Sequence, residues 1–261
     1  MKASTNGIDL YYEIHGESGP WVVLSHSLAC DLHMWDAQIN LLKDRFRVLA
    51  FDTRGHGKSD APSGAYTLDQ LVEDARGLLD EVGVDKAHWV GLSMGGMIGM
   101  MFELKYPGTF RSLILCDTSS RIPAELAPVW AGRIKTVTEH GMTAVVDGTL
   151  ERWFTEPFRQ SSPDVIDSVA KMIVATKVDG YAGCCHAIPK LDCTDRLHTV
   201  SCPVQIIVGE QDAGTPVAMS EAIHSAIAGS ELVVIPQASH LSNLEQPEKF
   251  NEALNRFLSA R

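Results

Sequence analysis

The chain has 261 residues, 45% of them hydrophobic and 21% charged, with a net charge of -11 and a pI near 5.3. Those proportions belong to an ordinary globular domain rather than a disordered chain, and the acidic balance argues against binding a polyanion, because phosphate contacts need clustered Lys and Arg. No apolar run reaches the roughly 18 residues of a membrane span, and the N-terminal stretch lacks the apolar centre of a secretion signal, so neither a membrane nor a nucleic-acid partner is expected.

Apolar runs rich in β-branched residues and of strand length recur at 21–24, 48–51, 88–92, 112–115, 204–208 and 232–235. Segments with helical spacing lie between most of them, at 68–82, 97–106, 218–228 and 247–258. Alternating β and α of this kind predicts an α/β fold, with a mostly parallel sheet flanked by helices. The alternation lapses over 119–195, where Pro123, Pro128, Pro157, Pro163 and Pro189 punctuate amphipathic stretches carrying Trp130, Trp153 and Phe158. It resumes at Pro203. The expectation is therefore one core made from 1–118 and 196–261, with 119–195 inserted as a helical cap.

The third of these apolar runs, His88-Trp89-Val90-Gly91-Leu92, leads into Ser93-Met94-Gly95-Gly96 and then a helix-like stretch. This is G-x-S-x-G between a strand and a helix. A turn that sharp forces Ser93 into strained backbone angles, tolerable only if Gly91 and Gly95 bring no side chains to clash, and it lifts the hydroxyl above the sheet. The helix that follows offers free amides beside the serine, where negative charge develops in acyl transfer.

A serine hydroxyl needs a neighbouring base at neutral pH. Among ten histidines, His240 follows the 232–235 run in a loop expected at the carboxyl edge of the sheet, where catalytic groups of open α/β folds gather. Asp212 lies just past the 204–208 run, one βα unit earlier, and the order Ser, Asp, His fits a nucleophile, an orienting acid and a general base. Asp117, after the 112–115 run, and Glu210 are rival acids. The loop Ser25-His26-Ser27-Leu28 follows the first apolar run, so the amides of Leu28 and Met94 are the expected oxyanion donors, with the Ser27 hydroxyl beside them and His26 structural.

Other patterns read as scaffolding. Asp52-Thr53-Arg54-Gly55-His56-Gly57-Lys58-Ser59 lacks the full G-x-x-x-x-G-K-[ST] phosphate loop, and no H-E-x-x-H or zinc spacing occurs, so neither a nucleotide nor a metal is expected and no cofactor is needed. Cys30, Cys116, Cys184, Cys185, Cys193 and Cys202 form no C-x-x-C pair and suit free thiols in a reducing cytoplasm.

The segments Ser25-His26-Ser27-Leu28, Phe51-Asp52-Thr53-Arg54-Gly55-His56-Gly57-Lys58-Ser59-Asp60, Gly91-Leu92-Ser93-Met94-Gly95-Gly96, Gly209-Glu210-Gln211-Asp212 and Ala238-Ser239-His240-Leu241-Ser242-Asn243 resemble the α/β-hydrolase superfamily from end to end. Within it, Asp31-Leu32-His33-Met34-Trp35, Arg152-Trp153-Phe154 and Gly183-Cys184-Cys185-His186-Ala187-Ile188 look like 3-oxoadipate enol-lactonases of the β-ketoadipate pathway. The resemblance implies the α/β-hydrolase fold and hydrolysis of a small anionic lactone through an acyl-enzyme. A buried substrate carboxylate then needs a cationic partner, for which Arg133, three residues beyond Trp130, is the first candidate, with Trp130 and Trp153 as apolar walls. The same triad suits a carboxylesterase, a carbon–carbon bond hydrolase or a cofactor-free haloperoxidase. A ligand-sensing protein that keeps the fold with little turnover is a reading of a different class.

Overall fold

A computed structural model describes residues 1–261. It opens with a hairpin. Strand β1 (Lys2–Thr5) pairs antiparallel with β2 (Ile8–His15), joined by Asn6 and Gly7 at φ 46° and 78°. Positive φ at both turn residues gives the reversal whose twist matches the flanking strands. The remaining strands are β3 (Trp21–Ser25), β4 (Arg47–Phe51), β5 (Ala87–Leu92), β6 (Phe110–Cys116), β7 (Val204–Gly209) and β8 (Glu231–Ile235). The order across the sheet is β1-β2-β4-β3-β5-β6-β7-β8. Strand β2 runs antiparallel to β4, and from β4 to β8 every pairing is parallel. The mostly parallel sheet flanked by helices is thus the architecture the alternation predicts. The hairpin and a short helix α1 (Asp36–Leu42) were outside that expectation.

Strands β3, β5 and β7 are buried at every position, as parallel strands covered on both faces must be. Helix α2 (Leu68–Val82) begins at a reciprocal capping box between Thr67 and Gln70 and stops at Gly83, which takes φ 75°. Helix α3 (Met94–Lys105) starts directly after Ser93, three residues earlier than its spacing suggests, and its Phe102 packs on Trp89 and Phe110 with ring centroids 6.0 and 4.8 Å away.

Between β6 and β7 the chain forms only helices and short 3-10 turns: α4 (Ala127–His140), α5 (Val146–Trp153), α6 (Glu156–Ser161), α7 (Pro163–Ala175) and α8 (Val178–Ala187). The two ends of this run lie side by side. Arg121 bridges Asp192 antiparallel, Cys193 N–H donates to the Ser120 carbonyl at 2.9 Å, and the Arg121 guanidinium pairs with Asp192 at 2.6 Å and Asp195 at 3.0 Å. Helix α8 presses on the core where Gly180 meets Gly55; a Cβ on Gly180 would lie 2.0 Å from the Gly55 carbonyl oxygen. Three further helices complete the chain: α9 (Val217–Ala226), α10 (Ser242–Glu245) and α11 (Pro247–Ser259). All six cysteines are free thiols, and no helix is long and apolar enough to cross a membrane.

Candidate active site

Strand β5 delivers Ser93 to the carboxyl edge of the sheet at φ 53°, ψ -112°. A side chain cannot replace either flanking glycine: a Cβ on Gly91 would lie 2.2 Å from the Gly95 carbonyl oxygen, and one on Gly95 would lie 2.1 Å from that of Ser25. The strained turn is held at both backbone polar groups of Ser93. Ser93 N–H donates to the Cys116 carbonyl at 2.8 Å, and the Thr118 hydroxyl donates to the Ser93 carbonyl at 2.7 Å. Strain at this position is sustained because the surroundings over-determine it.

The close packing of Gly95 on Ser25 sets the first turn of α3 against the Ser25-to-Ala29 loop. Two buried histidines fix that loop. His26 Nδ1 donates to the Ser27 carbonyl at 2.7 Å while its Nε2 accepts the Thr53 N–H at 2.9 Å. His56 Nε2 accepts the Ala29 N–H at 3.0 Å and its Nδ1 donates to the Arg54 carbonyl at 3.1 Å. Since an amide can only donate, both Nε2 atoms must be unprotonated. Burial holds His26 below its ordinary value, and burial together with the His26 charge takes His56 down to about 3. His26 is structural, as expected. The loop leaves the Leu28 N–H without a partner in the chain, as the helix start leaves that of Met94.

Asp212 and His240 meet, with His240 Nδ1 donating to Asp212 Oδ2 at 2.8 Å. That bond leaves the Nε2 lone pair of the neutral ring free to accept a proton. The carboxylate is saturated with donors: Gly214 N–H at 2.7 Å, Thr215 N–H at 2.9 Å and the Thr215 hydroxyl at 2.7 Å. Burial pushes the Asp212 carboxyl up, but His240 and the Thr215 donors outweigh it and hold the group below its usual range. Thr215 had no signal in the sequence beyond its place in an Asx-type turn after Asp212.

The rival acids lie elsewhere. Asp117, at φ 45°, accepts the Gly209 N–H at 2.7 Å and the Ser242 hydroxyl at 2.5 Å, tying β7 to α10. Burial, reinforced by the Asp212 charge, pushes its carboxyl well above the ordinary value. Glu210 is exposed and accepts only from Gln237 N–H, at 3.2 Å.

Ser93 and His240 line one cavity of about 180 Å³, together with Ser27, Leu28, Trp130, Arg133 and Trp153. No hydrogen bond joins the Ser93 hydroxyl to His240 here; such contacts are often long without substrate. Met94 and Asp212 stand behind the lining, Met94 fully buried and Asp212 beneath the imidazole. The Ser27 hydroxyl is buried without a partner. The Trp153 ring lies 6.0 Å from that of His240, and the Arg133 guanidinium sits 4.5 Å over the Trp130 ring.

The cavity also holds residues that sequence reasoning missed, chiefly Arg152 and Tyr181. Their helical positions are plain in the sequence, but which way each faces depends on how α5 and α8 pack. The His240 loop is stitched to the end of α5: Leu241 N–H donates to the Trp153 carbonyl at 3.2 Å, and Glu245 accepts both Ser239 N–H at 2.8 Å and Thr155 N–H at 3.1 Å. No group of three or more His, Cys, Asp or Glu side chains is arranged to hold a metal ion.

A family model described as the alpha/beta hydrolase fold matches residues 20–247. The chain belongs to the α/β-hydrolase family. This α/β-hydrolase is 36% identical to 3-oxoadipate enol-lactonase 2 of Acinetobacter baylyi over 248 residues, covering 95% of the chain and 92% of the relative. Its structure is similar to that of the enol-lactonase from Burkholderia xenovorans, with TM-score 0.96, 37% identity and coverage of 99% and 100%. It is also similar to that of a thermophilic esterase from Thermogutta terrifontis with malate bound, with TM-score 0.94, 33% identity and coverage of 100% and 98%.

Proposed function

We propose that this α/β-hydrolase is a serine hydrolase that opens 3-oxoadipate enol-lactone to 3-oxoadipate. The observation that carries the reading is one cavity bearing Ser93, the His240 that is hydrogen-bonded to Asp212, and an Arg133 with no carboxylate partner. The likeness to two enol-lactonases supports the choice of lactone.

In this mechanism Ser93 attacks the lactone carbonyl while His240 Nε2 takes its proton, and Asp212 holds the ring and stabilises the imidazolium. The amides of Leu28 and Met94 receive the oxyanion, and the unpartnered Ser27 hydroxyl adds a third donor. The ring C–O bond then breaks, and the leaving enol oxygen takes the proton from His240 and, still tethered within the acyl-enzyme, tautomerises to the ketone. Water activated by His240 releases 3-oxoadipate and restores Ser93. Residues 119–195 act as a cap over the site, bringing Trp130 and Trp153 as apolar walls and Arg133 to the substrate carboxylate. The reaction draws on no metal or cofactor and suits an enzyme working on cytoplasmic metabolites.

A second reading, a carboxylesterase, is favoured by the structural likeness to a thermophilic esterase. Loss of enol-lactone absorbance, measured beside hydrolysis of simple p-nitrophenyl esters, separates the two. The lactonase reading expects the higher kcat/KM for the lactone; a clear preference for the p-nitrophenyl esters overturns it.

A further inference from the structure

Arg133 and Arg152 stand on two different helices, α4 and α5, yet line the same cavity as Ser93. Both are half-buried. Neither is within ion-pair distance of a carboxylate; Arg133 rests on the Trp130 ring, and the one side-chain partner of Arg152 is the Thr149 hydroxyl, at 3.1 Å. The chain handles its one fully buried arginine differently, pairing Arg54 with Asp74 at 2.6 Å. The two cavity guanidinia are also close enough to disfavour each other: burial, and then the charge of Arg133, hold Arg152 below its ordinary value. In a chain of net charge -11, two uncompensated cations facing one cavity form a local reversal of sign. Partly desolvated like charges are costly to hold together, and an anion placed between them removes that cost.

We propose that Arg152 and Arg133 together form a two-guanidinium carboxylate subsite, and that the enzyme therefore also hydrolyses open-chain half-esters of short dicarboxylic acids such as succinate, glutarate and adipate. The proposal rests on the reading of Ser93 as nucleophile but not on the lactone. A half-ester carries at one end the ionised carboxylate that guanidinium forks recognise and at the other a carbonyl for Ser93. The Ser93 oxygen bonds to the ester carbonyl carbon as its proton passes to His240. The C–O bond to the alcohol breaks, and the alcohol leaves with that proton. Water then adds to the acyl carbon, gives a proton to His240 and releases the dicarboxylate as the Ser93–acyl bond breaks and Ser93 regains its proton. A neutral ester of the same length leaves the two cations unpaired, so it forfeits that interaction.

Proton release measured on a pH-stat for monomethyl glutarate beside methyl pentanoate tests this, in the wild type, Arg152→Gln, Arg152→Lys and Ser93→Ala. A charge-assisted hydrogen bond is worth a factor of roughly 10 to 100, so the wild-type kcat/KM ratio should favour the half-ester by at least about tenfold. Arg152→Gln should lower that ratio by roughly 10- to 100-fold, mainly through KM for the half-ester, and Arg152→Lys should recover part of it. A wild type that prefers methyl pentanoate, or a ratio unmoved by Arg152→Gln, overturns the proposal. Should Arg152→Gln fail to fold, competition in the wild type decides: glutarate must inhibit methyl pentanoate hydrolysis at least about tenfold more tightly than glutaramide, and equal inhibition overturns it. Half-ester preference without enol-lactone turnover would remove only the lactone assignment. Undiminished hydrolysis by Ser93→Ala would instead remove the serine-hydrolase reading itself.

Discussion

The two walls of the cavity are built on opposite plans. At the carboxyl edge of the sheet the buried carboxylates and histidines find their partners within the chain: Asp212 accepts four hydrogen bonds, Asp117 accepts two, and His26 and His56 use both ring nitrogens. Across from it, on the helices between β6 and β7, Arg133 and Arg152 face the same space with no anion to answer them. A fully satisfied polar network is rigid and can hold reacting groups in place, whereas an unsatisfied charge is a standing demand for a ligand. The edge is therefore where the rate should be set, and the helical wall where the substrate should be chosen.

That division is open to attack at its strongest point first. Ser93→Ala and His240→Ala should each lower kcat by roughly 10⁴ to 10⁶ with KM little changed, by the behaviour of other serine triads. Steady-state kinetics showing near-normal turnover in either variant would break the assignment of the edge.

The two buried carboxylates sharpen it next. In Asp212→Asn the new amide must either lose the Thr215 donors or face the His240 Nδ1–H with its own N–H, so kcat should fall by about 10⁴. Asp117→Asn can keep the Gly209 contact through its oxygen and donate to Ser242 through its nitrogen, so its cost in kcat should stay within about tenfold. The reverse ranking would transfer the role of acid to Asp117.

The contrast among arginines calls for a stability measurement. Asp74→Asn should destabilise the fold by about 3–5 kcal/mol in denaturant unfolding, since it strands the buried Arg54. Arg152→Gln, which removes a charge that has no partner, should leave the unfolding midpoint where it is or raise it. Loss of stability in Arg152→Gln comparable to that in Asp74→Asn would mean that Arg152 is a structural strut.

The smallest effect concerns pH. His88 is buried in β5 beside the Ser112 hydroxyl, and burial, with Arg111 and Arg261 nearby, takes it down to about 4. The unfolded chain takes up this proton near pH 6.5, before the folded one, so the His88 contribution to stability is whole above that pH and declines as pH falls toward 4. The stability difference between the wild type and His88→Gln should therefore shift in favour of the variant by up to about 1.4 kcal/mol per pH unit across that window. Parallel stability–pH curves for the two would contradict it.

Much of this was legible before the fold was seen, for identifiable reasons. The central parallel strands announce themselves because burial on both faces demands uninterrupted apolar runs, and the turn at Ser93 because only glycine fits at Gly91 and Gly95. The β1–β2 hairpin was missed because β1 has only four residues and both strands are mixed in polarity, although Asn6-Gly7 is a turn signal in its own right. The site roles of Thr215 and Arg152 went unread for another reason: the place of each in the site follows from tertiary packing, which no local spacing encodes. Arg133 was accessible only through its relation to Trp130, a helical neighbour whose ring it covers.

The most direct test of the whole account is covalent labelling with a fluorophosphonate, mapped by peptide mass spectrometry in the wild type and in His240→Ala. The account predicts a single adduct on Ser93 in the wild type, formed far more slowly when His240 is removed. An unlabelled Ser93, or labelling that proceeds at the same rate without His240, would contradict it.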